Sequence, residues 1–341
     1  MKKILSLTIF IIMFNGCLVS ANSSNYVLKD NLALNNHETF YVDDDADSGW
    51  YDETHFKTIM EGIENASNGD TVFVYNGIYY ERIIIDKSIS LVGESKYSTF
   101  IDGSYITDDG SIFGYSIIRI VQASYVLVTG FTIQNVLQQT ICDDAGIYIF
   151  DTSHYVNISD NIIKNIYDDG IFLEGSNHTA SDNLIMDTGI GISSISVDYL
   201  PDSNSIITRN TIKNIRGEGI LLWHSNYNTI SWNNIKGCTQ GMIILESKCN
   251  LIKRNNITNN IEGVFLSLST RNKFYENNFI ESGYAGHVEF KGWSFFNKWR
   301  RNYWDNQIIH ILPKILVGRF GALPIPWFNF DWHPARKPYE I

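Results

Sequence analysis

The chain has 341 residues, with 37 acidic against 26 basic side chains and a formal net charge of −11. Hydrophobic residues make up 44% of it, enough for a sizeable buried core. An acidic chain is a poor candidate for binding nucleic acid or an anionic membrane, because phosphate groups attract Lys and Arg. The composition therefore argues against both classes of partner.

The first residues have the features of a secretory signal peptide. A basic head at Lys2 and Lys3 precedes the apolar run Ile4–Phe14, which is too short to span a bilayer, and small residues follow up to Ala21. The pattern predicts a signal peptide over residues 1–21 and a secreted, periplasmic or cell-surface protein. A lipoprotein anchor at Cys17 is the alternative, although the residues before it make a poor lipobox. No later stretch predicts a transmembrane helix.

Asparagine recurs along the chain at a nearly fixed interval. Successive steps are 22, 27, 23, 22, 22 and 25 residues. Two further markers share this period: a Gly followed by an apolar residue, as at Gly170 and Gly241, and the pattern Ser-x-x-Asn, as at Ser225 and Asn228. Three features with one period predict a solenoid of stacked coils. The asparagines of the predicted ladder are Asn161, Asn183, Asn210, Asn233, Asn255, Asn277 and Asn302.

The pattern within each repeat predicts an all-β fold, a single-stranded right-handed parallel β-helix of the pectin-lyase type with about ten coils. Apolar residues alternate with polar ones, as in strands, and lack the helical period. In such a solenoid, like residues stack about 4.8 Å apart. The asparagines should then hydrogen-bond along the axis at the turns. The solenoid is predicted over residues 41–304, after an N-terminal segment over 22–40.

A short amphipathic segment near the N-terminus is a candidate cap. An open β-helix end would expose strand edges and core, so both ends need a cover. Residues 54–66 carry apolar side chains at helical spacing from Phe56 to Ile63, with Thr54 as a candidate N-cap. We therefore expect a capping helix over 54–66 that closes the first coil.

One side of the solenoid is expected to be apolar on its outer surface. After each marker Gly, positions one and three should point inward, so positions two and four face out. These outer positions carry aromatic and aliphatic residues, which should not stay bare. Two coverings are open: the apolar stretch Ile308–Trp332 of the non-repeating tail (305–341), or a sugar chain stacked on aromatic rings. The ligand-binding candidates are Tyr148, Phe172 and Trp223, with Glu174 nearby in sequence.

Three stretches of the chain carry a family resemblance: GDTVFVYNGIYYERIIIDKSISLVGE (Gly69–Glu94), GIYIFDTSHYVNISDN and GIFLEGSNHTASDN. Together they resemble the NosD-like group of secreted right-handed β-helix proteins. The similarity extends over about Tyr41–Trp304. It implies a domain of the kind described as carbohydrate-binding and sugar-hydrolase-like. The group's name implies copper delivery in its namesake, but this chain contains no Met- or His-rich motif for copper.

Carboxylates gather just before the Gly markers, and two histidines each follow a marker Gly by eight residues. Polysaccharide hydrolases on this fold use paired Asp residues as acid and base, and the lyases use Ca²⁺ held by carboxylates. The alternative is that Asp at coil turns only solvates the surface, because turns select Asp. The catalytic candidates are Asp143, Asp144, Asp168, Asp169, His154 and His178.

A possible calcium loop stands before the predicted cap. Asp43, Asp45 and Asp47 alternate ahead of Gly49, although Thr54 stands where an EF-hand requires Glu. Calcium bound by these three residues is therefore one interpretation. An acidic turn that opens the cap is the other.

Three classes of function remain open from the sequence. The favoured one is binding of an extracellular polysaccharide or cell-envelope glycan along the side of the solenoid. The rivals are a polysaccharide lyase, hydrolase or epimerase, and a structural surface protein without catalysis. End-to-end self-association is a further possibility, because residues 38–70 carry ten acidic side chains against one Lys, whereas 291–337 carry eight basic against two Asp.

Overall fold

The fold is taken from a computed structural model, which describes residues 37–106, 115–136, 144–196, 203–282, 286–309, 311–320 and 325–341. Residues 37–341 form one compact unit. The predicted signal peptide and the catalytic candidate Asp143 lie outside the described residues. No helix in the described ranges is long and apolar enough to cross a membrane.

Short strands make up nearly all of the regular structure. The first fifteen are β1 (Thr39–Val42), β2 (His55–Phe56), β3 (Thr71–Val74), β4 (Gly77–Tyr79), β5 (Ile83–Ile85), β6 (Ser90–Gly93), β7 (Thr99–Asp102), β8 (Ile118–Ile120), β9 (Leu127–Thr129), β10 (Thr132–Val136), β11 (Ala145–Ile149), β12 (Asn157–Ser159), β13 (Ile162–Glu174), β14 (Thr179–Ser181) and β15 (Leu184–Ile195). The others are β16 (Ile206–Thr208), β17 (Thr211–Lys213), β18 (Glu218–Trp223), β19 (Thr229–Ser231), β20 (Asn234–Lys236), β21 (Gln240–Leu245), β22 (Leu251–Lys253), β23 (Asn256–Thr258), β24 (Glu262–Ser267), β25 (Lys273–Tyr275), β26 (Asn278–Ile280), β27 (Gly286–Lys291), β28 (Lys298–Arg300), β29 (Tyr303–Trp304), β30 (Lys314–Phe320) and β31 (Ile325–Asp331). One helix, α1, spans Ile59–Asn65, and a 3₁₀ turn spans Gly103–Tyr105.

The strands stack into three parallel sheets, which confirms the predicted parallel β-helix. Sheet 1 contains β4, β7, β10, the starts of β13 and β15, then β17, β20, β23, β26 and β29. Sheet 2 contains β5, β8, β11, the ends of β13 and β15, then β18, β21, β24, β27 and β30. Sheet 3 contains β1, β3, β6, β9, β12, β14, β16, β19, β22, β25, β28 and β31. Each strand therefore pairs with the coils before and after it.

The predicted asparagine ladder lies inside the turn between sheet 3 and sheet 1. Asn233 shows its geometry: its backbone N–H and its Nδ2 donate to Oδ1 of Asn255 at 3.0 and 2.9 Å, and Nδ2 also donates to the carbonyl of Ile207 at 2.8 Å. Its own Oδ1 accepts from the N–H and Nδ2 of Asn210 at 2.9 and 3.0 Å. The seven predicted members are at most 2% exposed, as expected for residues that hydrogen-bond along the axis inside the turns.

A second, mixed ladder lies between sheet 2 and sheet 3. The N–H of Asn228 donates to Oδ1 of Asn250 at 2.8 Å, and the N–H of Ser205 donates to Oδ1 of Asn228 at 2.9 Å. One coil earlier, the N–H of His178 donates to the Ser205 hydroxyl at 3.2 Å. His178 therefore stands in the same column as the asparagines of later coils.

The capping helix is shorter than expected and begins later. Its N-cap is Thr58, which forms a capping box with Glu61: the hydroxyl accepts from the Glu61 N–H at 3.2 Å, and the Glu61 carboxylate accepts from the Thr58 N–H at 3.1 Å. The expected N-cap Thr54 is wrong because Lys57, three residues later, cannot complete such a box. Residues 55–56 form β2 beside β1 instead. The apolar side of α1 joins the core, as predicted.

In its described residues, the stretch Ile308–Trp332 covers the end of the solenoid and not the outer side of sheet 2, which corrects one of the two expected coverings. The residues after it reach sheet 1, where the backbone of Tyr339 hydrogen-bonds to the Asn278 side chain at 2.9 and 2.8 Å. β30 and β31 form an antiparallel pair, here called the end hairpin, that extends sheets 2 and 3 beyond the last coil. Leu316 points into the core and is 4% exposed. Asp331 is fully buried and accepts from the N–H and Nδ2 of Asn302 at 2.9 and 3.0 Å. The tail lies here because it satisfies the open edges and the last ladder donors.

Candidate functional site

The expected alternation on sheet 2 is present, but the first half of its outer side is buried. Tyr148 and Phe172 face outward and stack on each other with ring centroids 4.5 Å apart. They are 1% and 3% exposed, and Glu174 is 8% exposed. The expectation that these two rings offer free faces to a sugar is therefore wrong. Trp223, farther along, is 44% exposed, and its role in ligand binding stays a prediction.

The predicted acidic stripe has mostly structural contacts. The Asp144 carboxylate, 1% exposed, accepts from the N–H of Tyr115 at 2.9 Å. Asp169, 3% exposed, accepts from the hydroxyl of Ser193 on the next coil. Asp168 is only half-buried. The buried pair Asp144 and Asp169 does not form an open acid–base site.

The two candidate histidines are not in matching positions. His154 pairs with Ser176, and its Nδ1 lies 3.2 Å from the Ser176 hydroxyl. His178 lies two positions further on, level with Val156, where its Nδ1 accepts from the N–H of Val156 at 3.3 Å and its Nε2 donates to the carbonyl of Glu174 at 2.6 Å. The error arises because the turn after β11 is longer than the turn after β13. Equal distances from the Gly markers therefore do not give equal rungs.

His178 is expected to make folding sensitive to acid. Burial lowers its pKa to about 4 from 6.5, so the folded protein holds the neutral ring. The stability it contributes is complete above pH 6.5 and is lost as the pH falls toward 4, a difference of ~3 kcal/mol. His178→Asn, which places the usual ladder residue at this rung, should remove that part of the dependence. Urea unfolding of both proteins across this range checks it; equal losses would show that His178 does not titrate as described.

The second half of sheet 2 has a more accessible outer side, here called the open face, on β18, β21, β24 and β27. The register places its residues in three rows that run along the solenoid axis. The middle row is apolar until its last member, the second row begins with the exposed Trp223, and the third row is polar. These rows are Leu221, Ile243, Phe265 and Glu289; Trp223, Leu245, Ser267 and Lys291; and Glu218, Gln240 and Glu262.

Glu262 is the most perturbed acid on the open face. Its Oε2 accepts from Nε2 of Gln240 at 2.9 Å, whereas its buried Oε1 has no hydrogen-bond partner among the described residues. Burial raises the pKa of Glu262, the Glu289 carboxylate adds to the rise, and the Gln240 hydrogen bond opposes it. A buried carboxyl group of this kind can hold its proton nearer to neutral pH.

The sequence pattern pointed to part of this face and missed its end. Glu218, Gln240 and Glu262 precede the Gly markers and continue the acidic stripe. Glu289 and Lys291 were missed, because His287 stands at the marker position of their coil and Gly286 aligns with Glu262. Counting from Gly286 would place both side chains inward, so the register with Phe265 and Ser267 is what identifies them as outward. Lys291 lies 3.3 Å from the Glu289 carboxylate and 5.0 Å above the ring of Phe265.

The acidic loop before the cap brings together a different trio from the one predicted. Carboxylate oxygens of Asp43, Asp44 and Asp45 lie within 4.8 Å of one another, whereas Asp47 is exposed and outside this group. Burial is the largest cause that raises the pKa of Asp43 and of Asp44. Oxygen ligands suit Ca²⁺ or Mg²⁺. Calcium at this loop stays a prediction, now centred on Asp44 with its two neighbours.

Solved structures similar to this one are parallel β-helix proteins. Tailspike protein 2 from an Escherichia coli O157:H7 bacteriophage has a TM-score of 0.56 at 14% identity, over 72% of this chain and 36% of that chain. A GH136 lacto-N-biosidase from Eubacterium ramulus has a TM-score of 0.53 at 14% identity, over 78% and 60%. XylC in complex with xylose has a TM-score of 0.50 at 14% identity, over 86% and 73%. These likenesses show the fold alone, and the chain spans less than half of the tailspike.

A comparison with curated protein sequences gave no match. The sequence model described as periplasmic copper-binding protein (NosD) matches residues 63–310. The donor set does not fit copper, which favours sulfur and imidazole ligands: among the described residues, the one group of three metal-ligating side chains is Asp43, Asp44 and Asp45. The match nevertheless extends over well more than half of the sequence, so the chain belongs to the NosD family.

Proposed function

We propose that this protein binds a polysaccharide outside the cytoplasm, on the open face of sheet 2. The observation that carries the proposal is the exposed indole of Trp223, beside an apolar row and a row of carboxylates and an amide. Aromatic and aliphatic surfaces suit the apolar faces of sugar rings, and the polar row can hydrogen-bond to hydroxyl groups. The predicted signal peptide and the periplasmic description of the family support the location.

The charge of the open face favours a neutral or amino-sugar polymer over a uronic acid polymer. Glu218, Glu262 and Glu289 face outward against the single cation Lys291, which already contacts Glu289. A uronate carboxylate placed here would meet like charges and raise their pKa further. A cationic amino group would instead gain a carboxylate partner. The similar structures include XylC in complex with xylose and a lacto-N-biosidase, which agrees with a saccharide ligand without specifying one.

Trp223→Ala is expected to weaken polysaccharide binding by about fivefold to a hundredfold, because an exposed stacking residue of this kind contributes roughly 1–3 kcal/mol. Binding would be measured by affinity electrophoresis in gels that contain neutral, amino-sugar or uronic acid polysaccharides, with and without Ca²⁺. The matched control is Trp232→Ala. Trp232 is 40% exposed but lies in a turn, where Arg254 stacks on it with the guanidinium 4.9 Å from the ring centre.

Equal retardation of the wild-type protein and both variants would place binding elsewhere. Retardation by none of the polymers would remove the binding proposal. If Ca²⁺ strengthens polysaccharide binding by the wild type but not by Asp44→Asn, the calcium prediction at the acidic loop is supported.

Catalysis is the second candidate, and Glu262 is the observation that favours it. A buried carboxyl with a raised pKa next to a second carboxylate is the arrangement that separates an acid from a base in glycoside hydrolysis. Any polymer that binds would be followed for chain shortening by size-exclusion chromatography. If the wild type shortens the polymer, and Glu262→Gln still binds it but no longer shortens it, the protein is an enzyme. Unchanged chain length would leave binding alone.

A further inference from the structure

We propose that the end hairpin docks on an anionic membrane surface. Its inner side seals the solenoid, but its outer side is apolar instead of polar. Val317 pairs with Phe328 across the hairpin, and Ile315 pairs with Phe330. These four side chains are 54%, 50%, 55% and 36% exposed. A hairpin that only capped the last coil would be expected to carry polar residues on this side.

The apolar surface continues beyond the two strands. Trp332 follows β31 and is 62% exposed, and Ile308 and Ile311, which precede β30, are 96% and 74% exposed. In the preceding turn, Trp293 and Phe296 are 61% and 73% exposed. Phe295 of that turn packs on Trp327 of β31 with ring centroids 4.8 Å apart, which joins the turn to the hairpin. Isolated exposed apolar residues are common, but a group of this size marks an interaction surface.

Basic residues accompany this apolar surface. Between residues 291 and 337 the chain has eight basic side chains and two Asp, of which Asp331 is fully buried. Five of the basic side chains are exposed residues of the last coil and the tail: Lys298, Arg300, Arg301, Arg336 and Lys337. Tryptophan and phenylalanine combined with Lys and Arg are the composition of surfaces that lie at the lipid–water interface.

A second copy of the chain fits this surface less well than a lipid bilayer does. Two end hairpins face to face would bring positive charge against positive charge. The opposite end of the solenoid is acidic, but α1 covers it with the exposed polar residues Glu61, Glu64 and Asn65 and offers no apolar counterpart. Anionic headgroups over a hydrocarbon layer satisfy both the charges and the apolar side chains.

The acidic charge of the whole chain does not oppose this docking. Salt screens charges over a Debye length of about 8–10 Å. The acidic residues of the N-terminal end lie many coils away from the end hairpin, at about 4.8 Å per coil. The charge of the end hairpin and its surroundings therefore determines whether this end binds an anionic membrane. The expectation from composition, that the chain avoids anionic membranes, applies to its other surfaces.

The test is sedimentation with vesicles made of equal parts phosphatidylglycerol and phosphatidylcholine. Residues 22–341 would be used, because they retain every described residue and lack the predicted signal peptide. We expect the wild-type protein to sediment with these vesicles and less with phosphatidylcholine alone. Phe328→Ser with Trp332→Ser should lower the partition coefficient by at least about tenfold. Arg336→Glu with Lys337→Glu should lower it only for the anionic vesicles.

The control is Tyr97→Ser with Tyr125→Ser, which removes two aromatic rings from the N-terminal half of the solenoid that, at 73% and 71%, are more exposed than Phe328 and Trp332. It should sediment like the wild type. Thermal unfolding would show that all variants are folded. Equal partition of the wild type and the hairpin variants would overturn the proposal. A second result would also overturn it. In that case none of the proteins binds vesicles, and the wild type dimerises without lipid in sedimentation velocity runs whereas the hairpin variants do not. Loss of polysaccharide binding in Trp223→Ala leaves this result unaffected.

Discussion

Asn233→Ala is expected to lower the free energy of unfolding by about 3–5 kcal/mol. Asn233 is fully buried, and both of its polar side-chain atoms are used. Alanine leaves the N–H and Nδ2 of Asn210 without their acceptor. It also leaves the carbonyl of Ile207 and one lone pair of Asn255 without their donor. Water cannot easily replace these partners inside the turn, so each loss costs a large part of its desolvation energy.

The matched control is the neighbouring Asn234→Ala. Asn234 is half-buried on the outer side of β20, and its recorded contact is a hydrogen bond that its Oδ1 accepts from Asn256 at 3.2 Å. We expect a loss of no more than about 1 kcal/mol. Urea unfolding followed by circular dichroism measures both. A similar cost for the two variants would show that the ladder contributes no more than an ordinary surface amide.

The asparagine ladder was predictable because the same hydrogen bonds recur in every coil. A residue that stacks on its own equivalent must recur with the length of a coil, so the period alone predicts which asparagines are in contact. Apolar side chains stack in the same way in the last coil, where Trp299 and Trp304 lie on Phe274 and Phe279 with ring centroids 3.8 and 4.3 Å apart. Inward and outward positions followed from strand alternation.

Features that depend on the length of a single turn were not predictable. His154 and His178 look equivalent by counting, yet the register places them on different rungs. Outward direction did not determine exposure either: Tyr148 and Phe172 point out of the solenoid and are nevertheless buried. Exposure depends on what other segments pack against a face, and no local pattern records that. The open face was found only because the register put Glu289 beside residues of the predicted stripe.

The second large effect is expected at the end of the ladder. Asp331→Ala should detach the end hairpin and raise hydrogen exchange in β28 and β29 about a hundredfold, for a cost of about 3 kcal/mol. The buried carboxylate accepts from the N–H and Nδ2 of Asn302, from the N–H of Arg301 at 3.1 Å and from Nε1 of Trp304 at 3.3 Å. Alanine leaves these donors unsatisfied, and the seal over the last coil is lost.

The position of the effect is as informative as its size. In a solenoid each coil contacts only its neighbours, so exchange in β12 and β14 should not change. The control Phe330→Ala removes the adjacent, outward-facing side chain and should leave exchange at both ends as in the wild type. A uniform rise along the chain in Asp331→Ala would contradict the role of Asp331 as the last rung.

Because the hairpin must be held in place to present its apolar outer side, Asp331→Ala should also weaken vesicle binding. Asp331 would then link the internal ladder to the surface at which the protein meets a membrane.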